Sequence, residues 1–387
     1  MRARKHIAMI GTTAPSHIYP SLAVIRELVE RGHRVSYSVG SVQAHLVQPT
    51  GAELITYEST LPQSDSGWSE DIGTSMRIFL DEGIAVLPQL VDYFDNDRPD
   101  VVLYDIGGHP GPILGARYGV PAVQVSPAFV AWDTFEQDNA EFYEALRDSA
   151  SGKAYFSTFT SWLRANRIEK DAEQHTPDHI LALIPRAMQP NADRVPESVQ
   201  FVGPCLDPLR LAERWAPPSG ASKVLLVSFG TSYNEQLPVY QACIEAFGGT
   251  EWHVVMAIGK RVDPQDLGEL PDNVEVHDSV PQLAVLDHAS AFVTHAGMGG
   301  CTESLWFGVP TVAIPQAVDQ FANAAMLESI GVGRHLPADQ VTAESLRETV
   351  LQVSGSQDVR SALDRIRAEV RANGGVRKAA DAVEAFL

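Results

Sequence analysis

The chain has 387 residues, 44% of them hydrophobic, and its formal net charge at pH 7 is −20 because 49 acidic residues outnumber 29 basic ones. This length and apolar content suit a globular protein of two or three domains, of which two is the most natural number. The acidic balance argues against nucleic acids and anionic membranes as partners. No apolar run in the sequence approaches the length of a membrane-spanning helix.

In the first half, apolar runs of strand length alternate with stretches of helical periodicity, which is typical of a parallel sheet covered by helices. The predicted strands are residues 6–11, 34–39, 53–57, 101–104 and 122–126. The predicted helices are residues 20–31, 75–87 and 113–118.

Two segments of this half lack the strand pattern. Residues 58–71 are polar, contain Pro and Gly, and are predicted to form a mobile loop. Residues 127–180 are mostly helical in pattern and rich in aromatic side chains. The aromatic residues either pack on one another or form a wall for a lipophilic ligand, and the pattern leaves both interpretations open.

The proline-rich segment 206–222 predicts an interdomain linker. The alternation then starts again, which predicts a second domain of the same class. Its predicted strands are residues 224–228, 253–258, 274–277, 291–294 and 311–314, with a helix at 237–247.

Three cysteines, Cys205, Cys243 and Cys301, make complete internal pairing impossible. The apolar run IAMI that follows the basic residues MRARKH is too short for the core of a signal peptide. We therefore expect a cytoplasmic protein with reduced thiols. The sequence leaves open whether it is a monomer or a homodimer.

The segment with the densest functional signals begins at the predicted strand 291–294. A turn with three glycines, residues 295–300, follows it and leads into a predicted helix, 301–307. Glycines let backbone N–H groups approach a ligand closely, and a helix N-terminus binds anions. This arrangement predicts a phosphate site.

Side chains suited to hydroxyl groups flank the glycine turn. Glu303 lies in the helix after the turn, and Asp319 and Gln320 follow the next strand. Ligands of open α/β sheets bind at the carboxyl ends of the strands. Phosphate donors beside groups that bind a polyol predict a nucleotide-sugar site.

These residues resemble the donor-binding signature of the family 1 glycosyltransferases, which are inverting enzymes that use UDP- or dTDP-sugars. The matching motifs are VPQ at 280–282, HAGMGG at 295–300, Glu303, and PQAVDQ at 315–320. The likeness covers nearly the whole chain, which is most similar to bacterial macrolide glycosyltransferases of the oleandomycin type.

The resemblance implies an α/β fold with the GT-B architecture, in which two Rossmann-like doubly wound domains face each other across a cleft. We expect an acceptor-binding domain at 1–205, the linker at 206–222 and a nucleotide-sugar-binding domain at 223–371. Residues 372–387 are expected to form a helix that crosses back to the N-terminal domain.

The catalytic residues implied by the resemblance are His17 and Asp105. His17 lies in GTTAPSHIYPS, between the first strand and its predicted helix, and Asp105 ends the run VVLYD. A neutral imidazole can take the proton of an acceptor hydroxyl, and a carboxylate behind it fixes the tautomer and stabilises the imidazolium.

The donor and acceptor sites implied by the resemblance involve more residues. The donor-binding set is Thr231, Ser232, Ser279, Val280, Gln282, His295, Gly297, Gly299, Gly300, Cys301, Glu303, Asp319 and Gln320. The lipophilic acceptor is expected to contact Trp68, Phe79, Phe129, Trp132 and Phe142.

This sequence departs from the family pattern at two donor positions. Ser279 stands where the family often has the Trp that stacks on the base, and Cys301 replaces a phosphate-binding Ser or Thr. We expect loose discrimination between UDP and dTDP, and weaker donor binding because a thiol is a poor hydrogen-bond donor.

We therefore expect an inverting transferase that moves glucose from UDP-glucose to a hydroxyl of a lipophilic small molecule. A macrolide antibiotic is the leading acceptor, which would serve inactivation or self-resistance. A dTDP- or UDP-sugar transferase acting on flavonoids, phenolics or another natural product is one alternative, and a non-catalytic partner that binds nucleotide sugars is another.

Other classes of function are weaker. The glycines at 297 and 299 begin a dinucleotide-binding pattern, but Thr302 occupies the sixth position. The sequence lacks the G-x-S-x-G motif of a hydrolase. A sugar epimerase of the same architecture would need carboxylates at the anomeric carbon. His175 and His179 lie four residues apart without further ligands, so we expect no metal and no cofactor besides the nucleotide sugar.

Overall fold

A computed structural model describes residues 4–62, 69–174, 176–230 and 234–387. The chain forms two compact units. The first consists of Met1–Leu183, Asn191–Cys205 and Val376–Leu387, and the second of Ile184–Pro190 and Leu206–Gly375.

In the described part of the first unit, seven parallel strands form one sheet in the order β3-β2-β1-β4-β5-β6-β7. The strands are β1 His6–Ile10, β2 Arg34–Gly40, β3 Glu53–Tyr57, β4 Val101–Asp105, β5 Ala122–Ser126, β6 Ile180–Ala182 and β7 Val199–Phe201. The helices are α1 Pro15–Glu30, α2 Ala44–Val47, α3 Ile72–Asp95, α4 Pro110–Tyr118, α5 Phe135–Asp138, α6 Ala140–Asp148 and α7 Ala150–Ala165.

Helices cover both faces of this sheet, and successive strand side chains point to opposite faces, so each strand contributes to two cores. Ile7 and Met9 of β1 pack in the core that contains α1, whereas Ala8 and Ile10 pack in the core that contains α3 and α4. A doubly wound sheet results, as the continuous apolar strands predict.

The second unit has the same class of fold. Its described residues include six parallel strands in the order β10-β9-β8-β11-β12-β13. The strands are β8 Lys223–Ser228, β9 Trp252–Ala257, β10 Val274–His277, β11 Ala291–Thr294, β12 Thr311–Ala313 and β13 Gly333–His335. The helices are α8 Pro208–Leu211, α9 Leu237–Phe247, α10 Gln282–Leu286, α11 Met298–Phe307, α12 Gln320–Ser329, α13 Ala343–Gly355 and α14 Gln357–Asn373. The predicted fold class, two Rossmann-like α/β domains, is confirmed.

The last helix, α15 Val376–Glu384, belongs to the first unit and packs against α1. Arg31 at the end of α1 donates to Asp381 at 2.6 Å and to Glu384 at 3.2 Å. His33 lies 3.0 Å from the other oxygen of Glu384. Among the residues that the structure describes, no helix is long and apolar enough to cross a membrane.

Four predicted helix starts are wrong. Helices α3 and α4 begin at Ile72 and Pro110, each three residues before the predicted starts at 75 and 113. The other two errors concern functional segments. Helix α1 begins at Pro15 rather than at residue 20, because Pro15 occupies the first turn, where its missing N–H costs nothing, and Pro20 lies inside the helix. Helix α11 begins at Met298 rather than at residue 301, so two of the three glycines belong to its first turn.

Candidate functional site

In the first unit, the predicted catalytic pair lies where the strand order reverses. Strands β1 and β4 are neighbours. After β1 the chain continues to β2 on one side, and after β4 it continues to β5 on the other side. His17 is the third residue of α1, which follows β1, and Asp105 is the last residue of β4. Their side chains meet, with His17 Nδ1 at 2.8 Å from Asp105 Oδ2.

Asp105 is held by three hydrogen bonds to one carboxylate oxygen. Besides His17, Oδ2 accepts from Thr12 Oγ1 at 2.5 Å and from the Gly107 backbone N–H at 3.0 Å. The carboxylate is almost fully buried, whereas the His17 side chain is 22% exposed. With Nδ1–H donating to the carboxylate, Nε2 is the imidazole nitrogen that carries the basic lone pair.

Thr12 is a functional candidate that the sequence reasoning missed. It is buried, and its hydroxyl reaches an acid 93 residues away in the chain. The available signal was the polar pair Thr12–Thr13 directly after β1, at the carboxyl edge of the sheet.

A hollow of about 300 Å³, counted with the solvent space at its mouth, lies beside this pair in the first unit. One side is the carboxyl edge of the sheet, including Thr12 and Ser38, and the other is helix α3, including Phe79 and Glu82. The Phe79 ring lies 6.3 Å from the His17 ring. Its predicted contact with an acceptor stays a prediction.

Glu82 is a buried carboxylate in the wall of the hollow. It accepts from the backbone N–H groups of Thr60 at 2.7 Å and Leu61 at 3.0 Å, and from the Ser59 hydroxyl at 2.8 Å. The Tyr57 hydroxyl donates to it at 3.3 Å. Glu82 therefore fixes the segment that leaves β3, and sequence reasoning did not identify it.

Three of the other predicted acceptor residues, Phe129, Trp132 and Phe142, do not line this hollow. Trp132 packs edge-on against Phe135 at 4.6 Å and donates to Asp138 at 2.6 Å, so it belongs to an aromatic cluster of the α5–α6 region. Phe142 is 44% exposed, and Phe129 is half-buried. Trp68 lies outside the described residues.

Further along the same stretch, the aromatic residues of α7 form a core with α3. Tyr155 and Phe159 are buried there together with Leu80. This supports the interpretation of these residues as packing rather than as a ligand wall.

In the second unit, the glycine turn also lies at the point where the strand order reverses, since β8 and β11 are neighbours. The His295 ring fits between two glycines, because a Cβ on Gly230 or on Gly297 would come within 2.7 Å and 2.5 Å of it. Ala296 adopts a φ of 62°, in the left-handed region, which turns the chain into α11.

This turn presents donors that suit an anion. The first N–H groups of a helix have no acceptor within the helix, and the helix dipole adds partial positive charge. Gly299, in the first turn of α11, is exposed. Burial lowers the pKa of His295 to about 4, so its ring is neutral at pH 7.

Cys301 has a different environment from the one predicted. Its side chain is fully buried, and its backbone N–H donates to the Gly297 carbonyl at 3.1 Å. Burial also raises the pKa of the thiol. We assign Cys301 to the packing of α11 and leave the phosphate contacts to the earlier N–H groups.

Glu303 lies buried on α11 with both oxygens engaged. Oε1 accepts from Arg210 Nη1 at 2.7 Å, and Oε2 accepts from Gln282 Nε2 at 2.5 Å. The structure thus brings together two predicted donor residues, and it adds Arg210 from the segment predicted to be a linker.

Asp319 and Gln320 stand at the start of α12. The Gln320 side-chain oxygen accepts from the backbone N–H groups of Gln316 at 2.8 Å and Ala317 at 3.1 Å. Asn323 donates to Asp319 at 2.9 Å and to the Ala296 carbonyl at 3.0 Å. Asn323 therefore ties the acid to the glycine turn.

The roles of the remaining predicted donor residues stay predictions. Ser279 is exposed, Val280 packs against an apolar cluster, and Thr231 and Ser232 lie outside the described residues. Across the described ranges, no three His, Cys, Asp or Glu side chains are grouped to hold a metal ion.

Comparison with known proteins gives concordant matches. The family model described as erythromycin biosynthesis protein CIII-like, C-terminal domain, matches residues 241–386. Oleandomycin glycosyltransferase of Streptomyces antibioticus is 47% identical over 99% of this chain and 91% of its own length. NDP-glycosyltransferase YjiC of Bacillus licheniformis is 35% identical over 99% of this chain and 98% of its own.

Solved structures agree with these matches. The glycosyltransferase of kitacinnamycin is 42% identical, covers both chains completely and has a TM-score of 0.93. CalG4, the calicheamicin glycosyltransferase, is 31% identical over 100% of this chain and 99% of its own, with a TM-score of 0.90.

Proposed function

Because the chain belongs to the family 1 glycosyltransferases, we propose that it transfers glucose from UDP-glucose to a hydroxyl group of a lipophilic small molecule, with inversion at the anomeric carbon. A macrolide is the first acceptor to test. The observation that carries the proposal is the His17–Asp105 contact at the carboxyl edge of the first sheet.

In the proposed reaction, His17 Nε2 removes the proton of the acceptor hydroxyl while the oxygen attacks the anomeric carbon. The bond to the diphosphate oxygen breaks in the same step, and the electron pair leaves with UDP. Asp105 stabilises the imidazolium that forms. One displacement inverts the configuration and needs no covalent intermediate.

The leaving group gains charge as the glycosidic bond forms. The first-turn N–H groups of α11 supply donors and the positive end of the helix dipole for that charge, and the neutral His295 ring adds one N–H donor. These groups support leaving-group stabilisation without a metal ion, and full activity in excess chelator is the expected result.

The preference for glucose rests on Asp319 and Gln320. An acid and an amide suit a fully hydroxylated hexose, because a deoxysugar would leave polar groups without partners. The use of dTDP-sugars is the alternative donor chemistry, since the exposed Ser279 offers no aromatic surface for stacking on the base.

The macrolide acceptor rests on similarity to a protein named for oleandomycin. The apolar side chains of the hollow beside His17 suit a lipophilic acceptor. Flavonoids and other phenolics are alternative acceptors, and glycosylation of an antibiotic would serve inactivation. We place the reaction in the cytoplasm, where the buried free thiols Cys205, Cys243 and Cys301 would stay reduced.

A transfer screen with mass-spectrometric detection tests the proposal. Purified protein is incubated with UDP-glucose, dTDP-glucose or UDP-GlcNAc and a panel of macrolides and flavonoids, with and without chelator. A hexose added to a macrolide from UDP-glucose supports the proposal, and the His17→Ala variant should lose it. UDP binding without transfer to any acceptor would favour a non-catalytic nucleotide-sugar-binding partner.

A further inference from the structure

We propose that Arg210 is a positioning residue of the nucleotide site, which orients Glu303 for the two hydroxyl groups of a ribose. The inference rests on the proposed function, because it takes Glu303 as the ribose-binding acid. Arg210 Nη1 donates to Glu303 Oε1 at 2.7 Å, and the two residues are 93 positions apart in the chain.

The hydrogen-bonding capacity of the carboxylate matches a diol. An ionised carboxylate offers about four lone-pair positions. Arg210 occupies one position on Oε1, and Gln282 occupies one on Oε2. One position on each oxygen remains, which is the number that two neighbouring ribose hydroxyls require.

Charge gives a second reason for an arginine at this position. Glu303 is nearly buried, and it lies on the same helix whose N-terminus is suited to a diphosphate. A buried carboxylate close to a diphosphate is unfavourable unless a cation compensates it. The Arg210 guanidinium supplies that charge without competing for the second oxygen.

The backbone that carries Arg210 is anchored within the second unit. Arg210 lies on the short helix α8, which contacts α10, the helix that carries Gln282. The Asp207 side chain caps α8 by accepting from the Leu209 N–H at 2.9 Å. The side chains on α8 and α10 thus approach Glu303 from two fixed elements, one for each oxygen.

Calorimetric titration of UDP and of 2′-deoxy-UDP tests the assignment in the full-length protein. The variants are Arg210→Gln, Arg210→Lys and, as a matched control, Arg214→Gln, which removes the same charge from an exposed position four residues further on. Thermal unfolding of each variant checks that it is folded.

We expect the wild type to bind UDP about tenfold more tightly than 2′-deoxy-UDP, because the deoxy compound loses one hydrogen bond to a charged group. In Arg210→Gln this ratio should fall toward one, Arg210→Lys should restore part of it, and Arg214→Gln should retain it. A folded Arg210→Gln variant with the wild-type ratio would overturn the inference, as would a wild type that binds both nucleotides equally. A wild type that prefers UDP over 2′-deoxy-UDP but transfers no sugar would instead count against the proposed reaction and not against the role of Arg210.

Discussion

Replacing Asp105 by asparagine should remove the negative charge behind His17 while leaving its hydrogen bonds in place. The three donors, from His17, Thr12 and Gly107, all converge on Oδ2. An asparagine that places its carbonyl oxygen at that position accepts the same three bonds. The variant therefore isolates the effect of charge from the effect of imidazole orientation.

The expected size of the effect follows from Coulomb's law. Two unit charges about 4 Å apart interact by about 4 kcal/mol at an effective dielectric constant of about 20. Because the His17 side chain is 22% exposed, solvent screening reduces this value. We take about 2 to 4 kcal/mol of lost transition-state stabilisation, which lowers kcat by about 30-fold to 1,000-fold.

The assay is steady-state glucosyl transfer together with calorimetric titration of UDP. Asp105 lies in the first unit and the nucleotide residues in the second, so the Kd for UDP should stay within about twofold of wild type. Asp95→Asn, which removes an exposed acid in the same unit, is the charge-matched control. A kcat within threefold of wild type, or equal losses in kcat and UDP affinity, would refute the role of Asp105.

Three further predictions follow from the site. Glu82→Ala removes the acceptor of the Thr60 N–H and one of the two acceptors of the Leu61 N–H, which keeps its 3.2 Å bond to Ser59 Oγ. The variant should therefore lower the free energy of unfolding by about 1 to 3 kcal/mol and raise the acceptor KM but not the donor KM. Urea unfolding and kinetics check this, with the exposed Asp81→Ala as the control. Asp319→Ala should weaken the use of UDP-glucose by about tenfold relative to a deoxysugar donor, and an unchanged donor profile would dismiss its contact with the sugar. Burial lowers the pKa of His295 to about 4, so protons bind the unfolded chain first, and the free energy of unfolding should fall by about 3 kcal/mol as the pH drops from about 6.5 to about 4. His295→Asn should lose this part of the pH dependence, and an equal slope in the variant would contradict the assignment.

The positions of the strands were the features of the fold that the sequence predicted best. The strands at 53–57, 122–126, 274–277 and 291–294 have the predicted ends, because each is a short β-rich run bounded by residues that favour turns. The strands β6, β7 and β13 were not predicted, and each has only three residues, too few to show a period. The equally short β12 was predicted one residue too long. Helix starts at prolines were ambiguous, since a proline favours the first turn and is also tolerated inside α1 and α3.

The motif residues of the candidate site could be named from the sequence because their types and order match a known family. Their partners could not. Arg210 carries no local pattern, and the polar pair that contains Thr12 does not reveal its partner. Each of the two residues acts on an acid 93 residues away. Glu82 lies in an ordinary helical stretch, and its role depends on donors from a different segment.

Local periodicity and composition were sufficient to predict the alternation of strands and helices in two successive domains, the glycine turn and the chemical types of the candidate residues. The assembled fold was needed to show which carboxylates are buried, which donors satisfy them, and that Cys301 faces the protein interior. Burial and long-range pairing depend on how strands and helices assemble, and a buried carboxylate must find its donors wherever the fold places them.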